Sequence, residues 1–308
     1  MANPVALKIA HLKITDHLIL GMTYHKIKTG QEKFQYSSIE PIAMTGWNSI
    51  GEALTNGEVD VAFMLAPYAM ELFHSGLKIK MVLLSHKSGS IIVTNTRANI
   101  KSIQDFKGKT VLIPYHLSIH HMLFDKLLNE NGLKTGVEND VVFEVVAPSQ
   151  IPEVIEWDEA GDVGGYIVAE PYGSQVIKAG YGSQFALSKD IWPKHPCCVM
   201  VVSEAILGKY PDAMHELTKS LVASGKQVEA DVETAIKVGA GFLSQEADVI
   251  REVLTNPPDK LSTTELMPQH TDFEKIQDYL TKNISAMSGK IDLEKFIDTQ
   301  FAKSAGAV

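Results

Sequence analysis

Through the first two thirds of the chain, short apolar runs alternate with segments whose apolar residues recur at helical spacing. Residues 7–12 form a short apolar run suited to a strand, and Thr15 or Asp16 then offers an N-cap to a helix with Leu18, Ile19, Met22 and Ile27 on one side. Residues 38–44 read as a second strand. Asn48 or Ser49 would cap a short helix that stops near Asn56-Gly57. Residues 59–65 are continuously apolar, as expected of a strand buried on both faces. Ala66-Pro67-Tyr68 opens the next helix with proline in its first turn. The order then recurs: strand 110–113, helix 118–131, strand 141–147, helix 151–160, strand 166–169 and a helix from Pro171. Strands alternating with helices predict an α/β fold with parallel sheets covered on both faces.

The recurrence is also visible in the residues themselves. With an offset of 104 positions, Gly57 falls on Gly161, Val59 on Val163, Pro67 on Pro171, Tyr68 on Tyr172 and Gly76 on Gly180. The same offset places Ile9 on Ile113 and His17 on His121. A period this long is wrong for a solenoid and suits two related lobes with a ligand cleft between them. Residues 80–94 lead out of the first lobe and residues 197–203 lead back, so the second lobe is inserted into the first. The expected division is 1–94 plus 200–308 for lobe one and 95–199 for lobe two. Beyond Glu204 the pattern is helical, with helices at 211–230, 232–243, 273–280 and 293–301, and a frayed end from 304.

Composition narrows the partners. The net charge of −9 argues against nucleic acid, and with only Arg97 and Arg251 present an anion would not be held by arginine forks. No apolar run approaches the roughly 18 residues of a membrane helix. Cys197 and Cys198 are adjacent in a strand-like run, where neighbours point to opposite faces and bridge poorly.

In parallel α/β sheets ligands sit beyond the carboxyl ends of the strands, which selects the loops at 13–17, 45–49, 66–68, 115–121, 147–150 and 170–172. Ser118 stands at a helix N-terminus, where outward-pointing N–H groups can hold a phosphate-, sulfonate- or carboxylate-like group; alternatively it only caps its helix. Asp16, His17, Asn48, Ser49 and Ser88 lie in or beside these loops and the first crossover. Trp47 either stacks on a flat ligand or closes the top of its lobe. Tyr68 and Tyr172 are symmetry mates, and Glu170 faces no acidic counterpart, since its mate is Ala66. His116 and His120 are spaced to share a helix face, with His17 and His86 across the cleft. No Asp or Glu sits inside residues 115–121 and no cysteine lies near them in sequence, so the ligand set is incomplete and no metal and no cofactor are expected. There is no Gly-x-Ser-x-Gly elbow and no phosphate loop, and a cysteine in an apolar strand is poorly placed for activation, so no catalytic residue and no enzyme activity are expected.

The stretches at 46–54 (GWNSIGEAL), 57–65 (GEVDVAFML) and 100–111 (IKSIQDFKGKTV), with Ser118 and His120 before an apolar helix and Glu170-Pro171-Tyr172, together resemble one family. It is the periplasmic solute-binding proteins of ABC importers, in the nitrate/sulfonate/taurine branch, with its thiamine-pyrimidine-synthase-like relatives. The resemblance runs over essentially the whole chain. It implies a two-lobed type II periplasmic-binding-protein fold, two doubly wound sheets joined by paired crossover strands. It also implies hinge closure near Thr94 and Val199, and delivery of a small solute to a membrane permease by a monomeric extracytoplasmic protein whose native leader is absent from this sequence. In alkanesulfonate binders of the branch a lysine-glycine-serine run matches residues 115–121. Here Ser118 and His120 match, but Tyr115, His116 and Leu117 replace the rest, which makes a flat heteroaromatic nutrient a rival to an anion. The enzymes of this fold use a cysteine-rich run, a cofactor lysine and a sacrificial histidine. Cys197-Cys198 falls near that run, and such an enzyme is the alternative function.

Overall fold

The computed structural model describes residues 4–308. Strands β1 (Val5–His11), β2 (Ser37–Ala43) and β3 (Val61–Leu65) pair in parallel in the order β2-β1-β3. Helices α1 (Leu18–Lys28) and α2 (Trp47–Thr55) connect them, and α3 (Ala66–His74) follows. All five residues of β3 are buried, as its unbroken apolar run requires. After β4 (Ile79–Leu84) the chain crosses through the two-residue β5 (Lys87–Ser88) into β6 (Ser90–Asn95).

The second copy then runs β7 (Thr110–Ile113), α4 (Ile119–Glu130), β8 (Val142–Val145), α5 (Ile151–Trp157), β9 (Val163–Ala169), α6 (Tyr172–Lys178) and β10 (Gly182–Leu187). A short α7 (Ser188–Ile191) leads back into β11 (Cys198–Ser203). The sheet orders are β2-β1-β3-β11-β4 and β8-β7-β9-β6-β10. Each copy therefore keeps four strands and hands its fifth to the other sheet, where that strand lies antiparallel between its neighbours. The sheets are mixed rather than wholly parallel for that reason. β6 belongs to the second sheet, so the chain changes sheets between Leu84 and Ser90, ahead of the boundary expected at 94, and returns before Cys198.

The matched glycines of the repeat are matched in backbone. Gly57 and Gly161 have φ of 69° and 71°, and Gly76 and Gly180 have 94° and 83°, left-handed values that glycine adopts without a steric penalty. They end corresponding helices and turn corresponding strands.

Helices α8 (Glu204–Lys209), α9 (Pro211–Ala230), α10 (Val232–Leu243) and α11 (Ala247–Thr255) follow, then β12 (Leu261–Ser262), which pairs with β5 at the crossing. Then come α12 (His270–Lys282), α13 (Leu293–Phe296) and α14 (Gln300–Ser304). The expected closing helix at 293–301 is thus two short helices. The end expected to fray is tied down instead, since the Val308 carbonyl accepts from Met267 N at 2.9 Å. Helix α2 begins at Trp47 with Gly46 before it, so Asn48 and Ser49 lie inside the first turn and cap nothing. Neither Thr15 nor Asp16 caps α1; a 3-10 turn at Thr15–His17 precedes the helix. Among the described residues no helix is long and apolar enough to cross a membrane.

Candidate functional site

The strand ends of the two copies face each other across a seam. A cavity of about 280 Å³ opens there, lined by Leu12, Lys13, Ala43, Met44 and Thr45 from one side and Pro148, Ser149 and Tyr172 from the other. It lies beyond the carboxyl ends of β1, β2 and β8, where parallel α/β sheets hold their ligands. The lobes already touch around it. Thr15 donates its N–H and its hydroxyl to the Glu170 carbonyl at 2.8 and 2.9 Å. Tyr115 donates its hydroxyl to Asn48 Oδ1 at 2.7 Å, and its ring sits 4.9 Å from that of Tyr68. Burial pushes both tyrosines up, aided at Tyr68 by the neighbouring phenol and opposed at Tyr115 by its hydrogen bond with Tyr68, so at neutral pH they are hydrogen-bonding phenols and not phenolates.

Several residues selected from the sequence converge on this seam. His17 is fully buried, with Nδ1 3.1 Å from the Leu12 backbone and Nε2 without a protein partner. Its ring meets Trp47 edge-on at 6.1 Å, and Trp47 Nε1 is likewise buried and unpartnered. Tyr172 is buried on the cavity wall, and burial raises its phenol to about 12. His120 is buried, its Nε2 2.9 Å from Ser90 Oγ and its Nδ1 without a partner. Burial, together with His195 and His86 nearby, lowers its pKa to about 3, so the ring is neutral.

Other selected residues are held elsewhere or are occupied. His116 is exposed and outside α4, where its carbonyl takes a hydrogen bond from the His121 ring at 2.9 Å; it does not share a helix face with His120. Ser118 is the N-cap of α4, accepting from His121 N at 3.0 Å and donating to the Tyr115 carbonyl at 2.6 Å. The Glu170 carboxylate is fully buried and saturated by Ser174 N (2.9 Å), Ser174 Oγ (2.7 Å) and Lys260 Nζ (3.2 Å). Ser49 is half-buried in α2, and Ser88 is buried in β5 with φ of 59°.

One grouping was not anticipated. Asp16, His86, Cys197 and Cys198 are all buried, and one ligand atom from each lies within 4.8 Å of the others. Asp16 Oδ2 is 2.9 Å from His86 Nε2 and 3.7 Å from Cys198 Sγ. Cys197 precedes β11 rather than lying in it, so the strand alternation expected to part the two sulfurs does not apply. Neither His116 nor His120, the pair considered for a metal along the sequence, belongs to this group, which instead sets Cys197 and Cys198 beside His86. The sequence signal was an adjacent cysteine pair at the return crossing, with no indication of what it would meet.

Burial alone favours neutral His86, but the Asp16 carboxylate and Cys197 outweigh it and raise the ring to about 10. The neighbouring Cys198 and His86 side chains push the Cys197 thiol down, while burial pushes Cys198 well up. A nucleophile relay needs one ring nitrogen on the thiol and the other on the carboxylate. Here Nε2 of His86 faces both Asp16 and the Cys198 N–H, and Nδ1 has no protein partner, so the cluster is not such a relay.

Residues 1–240 match the NMT1-like family. A nitrate import ATP-binding protein from Synechocystis sp. is 26% identical over 207 residues, which cover 61% of this chain and 30% of that protein. The chain thus spans about a third of the length of that relative. The structure of a ligand-binding component of an ABC-type import system from Staphylococcus aureus, with zinc bound, superposes with a TM-score of 0.87 at 22% identity, covering 98% of this chain and 99% of the other. The periplasmic nitrate-binding protein of Synechocystis PCC 6803 superposes with a TM-score of 0.84 at 15% identity, covering 99% and 89%. At these identities the likeness establishes the type II binding-protein fold. The first is a ligand-binding component of an import system and the second a nitrate-binding protein.

Proposed function

Since the chain belongs to the NMT1-like family, we propose that it is the solute-binding component of an ABC importer, working outside the cytoplasm. In this reading it captures a small anionic or heteroaromatic nutrient between its lobes and presents it to a membrane permease. The observation that carries this is the inter-lobe cavity at the strand ends, walled by residues of both copies. Buried hydrogen-bonding atoms without protein partners, His17 Nε2, Trp47 Nε1 and His120 Nδ1, lie in the elements around the seam. Such atoms cost free energy unless something hydrogen-bonds to them, and a bound solute is the natural partner.

The nitrate-importer relatives support an anion of the nitrate kind. The aromatic and neutral-imidazole character of the seam supports a flat heteroaromatic compound with both donor and acceptor edges. We assign His17, Trp47, His120 and Tyr172 to contact with it. Tyr68, Tyr115 and Asn48 serve as the latch between lobes, and the crossings at 85–89 and 188–197 serve as the hinge. The test is a thermal-shift screen of nitrate, alkanesulfonates, bicarbonate, pyrimidines and flavins, with zinc included because a structural relative carries it. A true solute raises the melting temperature in a concentration-dependent way. Replacing Trp47 with Ala should abolish the shift, and a shift unchanged in that variant would move the site away from this seam.

A further inference from the structure

We propose that Asp16, His86, Cys197 and Cys198 form a four-coordinate site for a soft divalent ion of the zinc class, where both crossing segments meet the β1–α1 turn. This goes beyond the solute reading and holds whichever solute the cleft takes.

The donors are of the right kinds. Imidazole nitrogen, thiolate sulfur and carboxylate oxygen are the ligands such ions select, and two sulfurs favour zinc-like metals over magnesium or calcium. Their spacing is close to what is required. A tetrahedral ion with bonds of about 2.0–2.3 Å holds its ligands about 3.3–3.8 Å apart. The four atoms already lie within 4.8 Å of each other, so a small contraction completes the shell.

Their burial also needs explaining. Each of the four residues is fully excluded from solvent, yet three of them are acidic side chains gathered at one point. The Asp16–His86 pair balances its own charge, but two further thiol groups are buried against it, and a divalent cation would draw both in as thiolates. The hydrogen bonds within the cluster do not satisfy it. A single nitrogen, His86 Nε2, faces a donor (Cys198 N–H at 3.2 Å) and an acceptor (Asp16 Oδ2 at 2.9 Å), and one ring nitrogen cannot serve both at once. Asp16 Oδ1 and His86 Nδ1 have no protein partner at all, and both lie 3.4 Å from where a side chain at Gly89 would begin.

The scaffold behind the donors is firm on one side and conditional on the other. The Cys197 carbonyl accepts from Ala66 N at 3.0 Å, and the Cys198 carbonyl accepts from Ser85 N and Oγ at 3.1 and 3.0 Å, which fixes the sulfur pair on lobe one. His86 comes from the outward crossing, itself bonded to the return crossing through Ser88 N and the His195 carbonyl at 2.9 Å. Asp16 rides on the turn whose Thr15 is held by Glu170 of the second lobe. An ion here would join the turn to both crossings. With four protein ligands it would have no open coordination position, which marks a structural site rather than a catalytic one. Parting the lobes withdraws Glu170 from Thr15 and loosens the turn that carries Asp16, so retention of the ion is coupled to closure.

The test uses the full-length protein, stripped of metal with a chelator and titrated with cobalt(II). The expected result is one equivalent bound, a thiolate-to-cobalt absorption band in the near ultraviolet, and displacement of that band by zinc. The Cys197→Ser/Cys198→Ser double variant should lose the band. His86→Gln should weaken binding by more than the ~10–100-fold that loss of an outer-shell partner costs. Absence of the band in the wild-type protein, or stoichiometric uptake that survives the double variant, overturns the proposal. Should the variants not fold, thiol alkylation of the wild type decides the matter: zinc is expected to slow modification of both cysteines, and equal rates with and without zinc overturn it.

Discussion

Buried histidines without acidic partners govern how individual residues of this protein answer to acid. His120 is buried, and burial with its histidine neighbours lowers its pKa from the ordinary 6.5 to about 3. In the unfolded chain the same ring takes a proton as the pH falls below about 6.5, while the folded protein refuses it until about 3. The stability this residue supports is therefore intact above pH 6.5 and lost progressively on acidification towards 3, at about 1.4 kcal/mol per pH unit. Urea midpoints of the wild type and His120→Gln, measured from pH 7 to pH 4, should converge because the variant lacks that one-proton slope. Parallel curves would mean that the native ring is already charged. Ser118 makes a second residue-scale case. Its hydroxyl is spent on His121 N and the Tyr115 carbonyl, so Ser118→Ala should cost about 1 kcal/mol of stability, in line with lost N-caps, and change solute affinity little. A large loss of affinity with unchanged stability would restore Ser118 as a ligand contact.

Between elements, contact across the seam rests on a few bonds. Tyr279 of α12 donates to Asp125 Oδ2 of α4 at 2.7 Å, and Asp125 also accepts from Thr135. A hydrogen bond to a carboxylate is worth about 1.5–3 kcal/mol when dry, and this one is half-exposed, so about 1 kcal/mol is a fair share. If the bond exists only with the lobes together, Tyr279→Phe should weaken solute binding about five-fold. Titration calorimetry with the solute identified by the thermal screen checks this, and unchanged affinity would place Tyr279 outside the closing motion. The elements themselves were largely legible in the sequence. Continuous apolar runs such as β3, proline at the start of α3 and glycines at Gly57 and Gly161 encode local conformation directly, and α9 and α10 begin and end where their periodicity does. Which sheet a strand joins was not legible. All six residues of β6 are buried, and an apolar strand reads the same whichever sheet covers it. The cluster of Asp16, His86, Cys197 and Cys198 was hidden for a related reason. Its members come from three distant segments that meet only because each copy gives a strand to the other sheet.

For the whole molecule, that exchange of strands puts both connections between the lobes at one place, beside the cavity. A net charge of −9 with two arginines means that an anion entering the cleft is attracted by no broad positive field. Its binding must come from donors at short range, with Lys13 the one cation among the described residues of the cavity wall, so salt should weaken capture little. The ion pairs from Lys178 to Glu246 and Asp248, between α6 and the start of α11, are exposed on both sides, and exposed pairs contribute little. Under the proposed function a solute that touches both lobes shifts the balance by its difference in affinity for the closed and open forms. Small-angle scattering should accordingly show a smaller radius of gyration at saturating solute than without it. The compaction should be nearly the same at about 0.05 and 0.5 M salt, since screening at the higher value removes most surface electrostatics. Compaction that vanishes at high salt would assign closure to the exposed ion pairs, and no compaction at either salt would refute hinge closure for this protein.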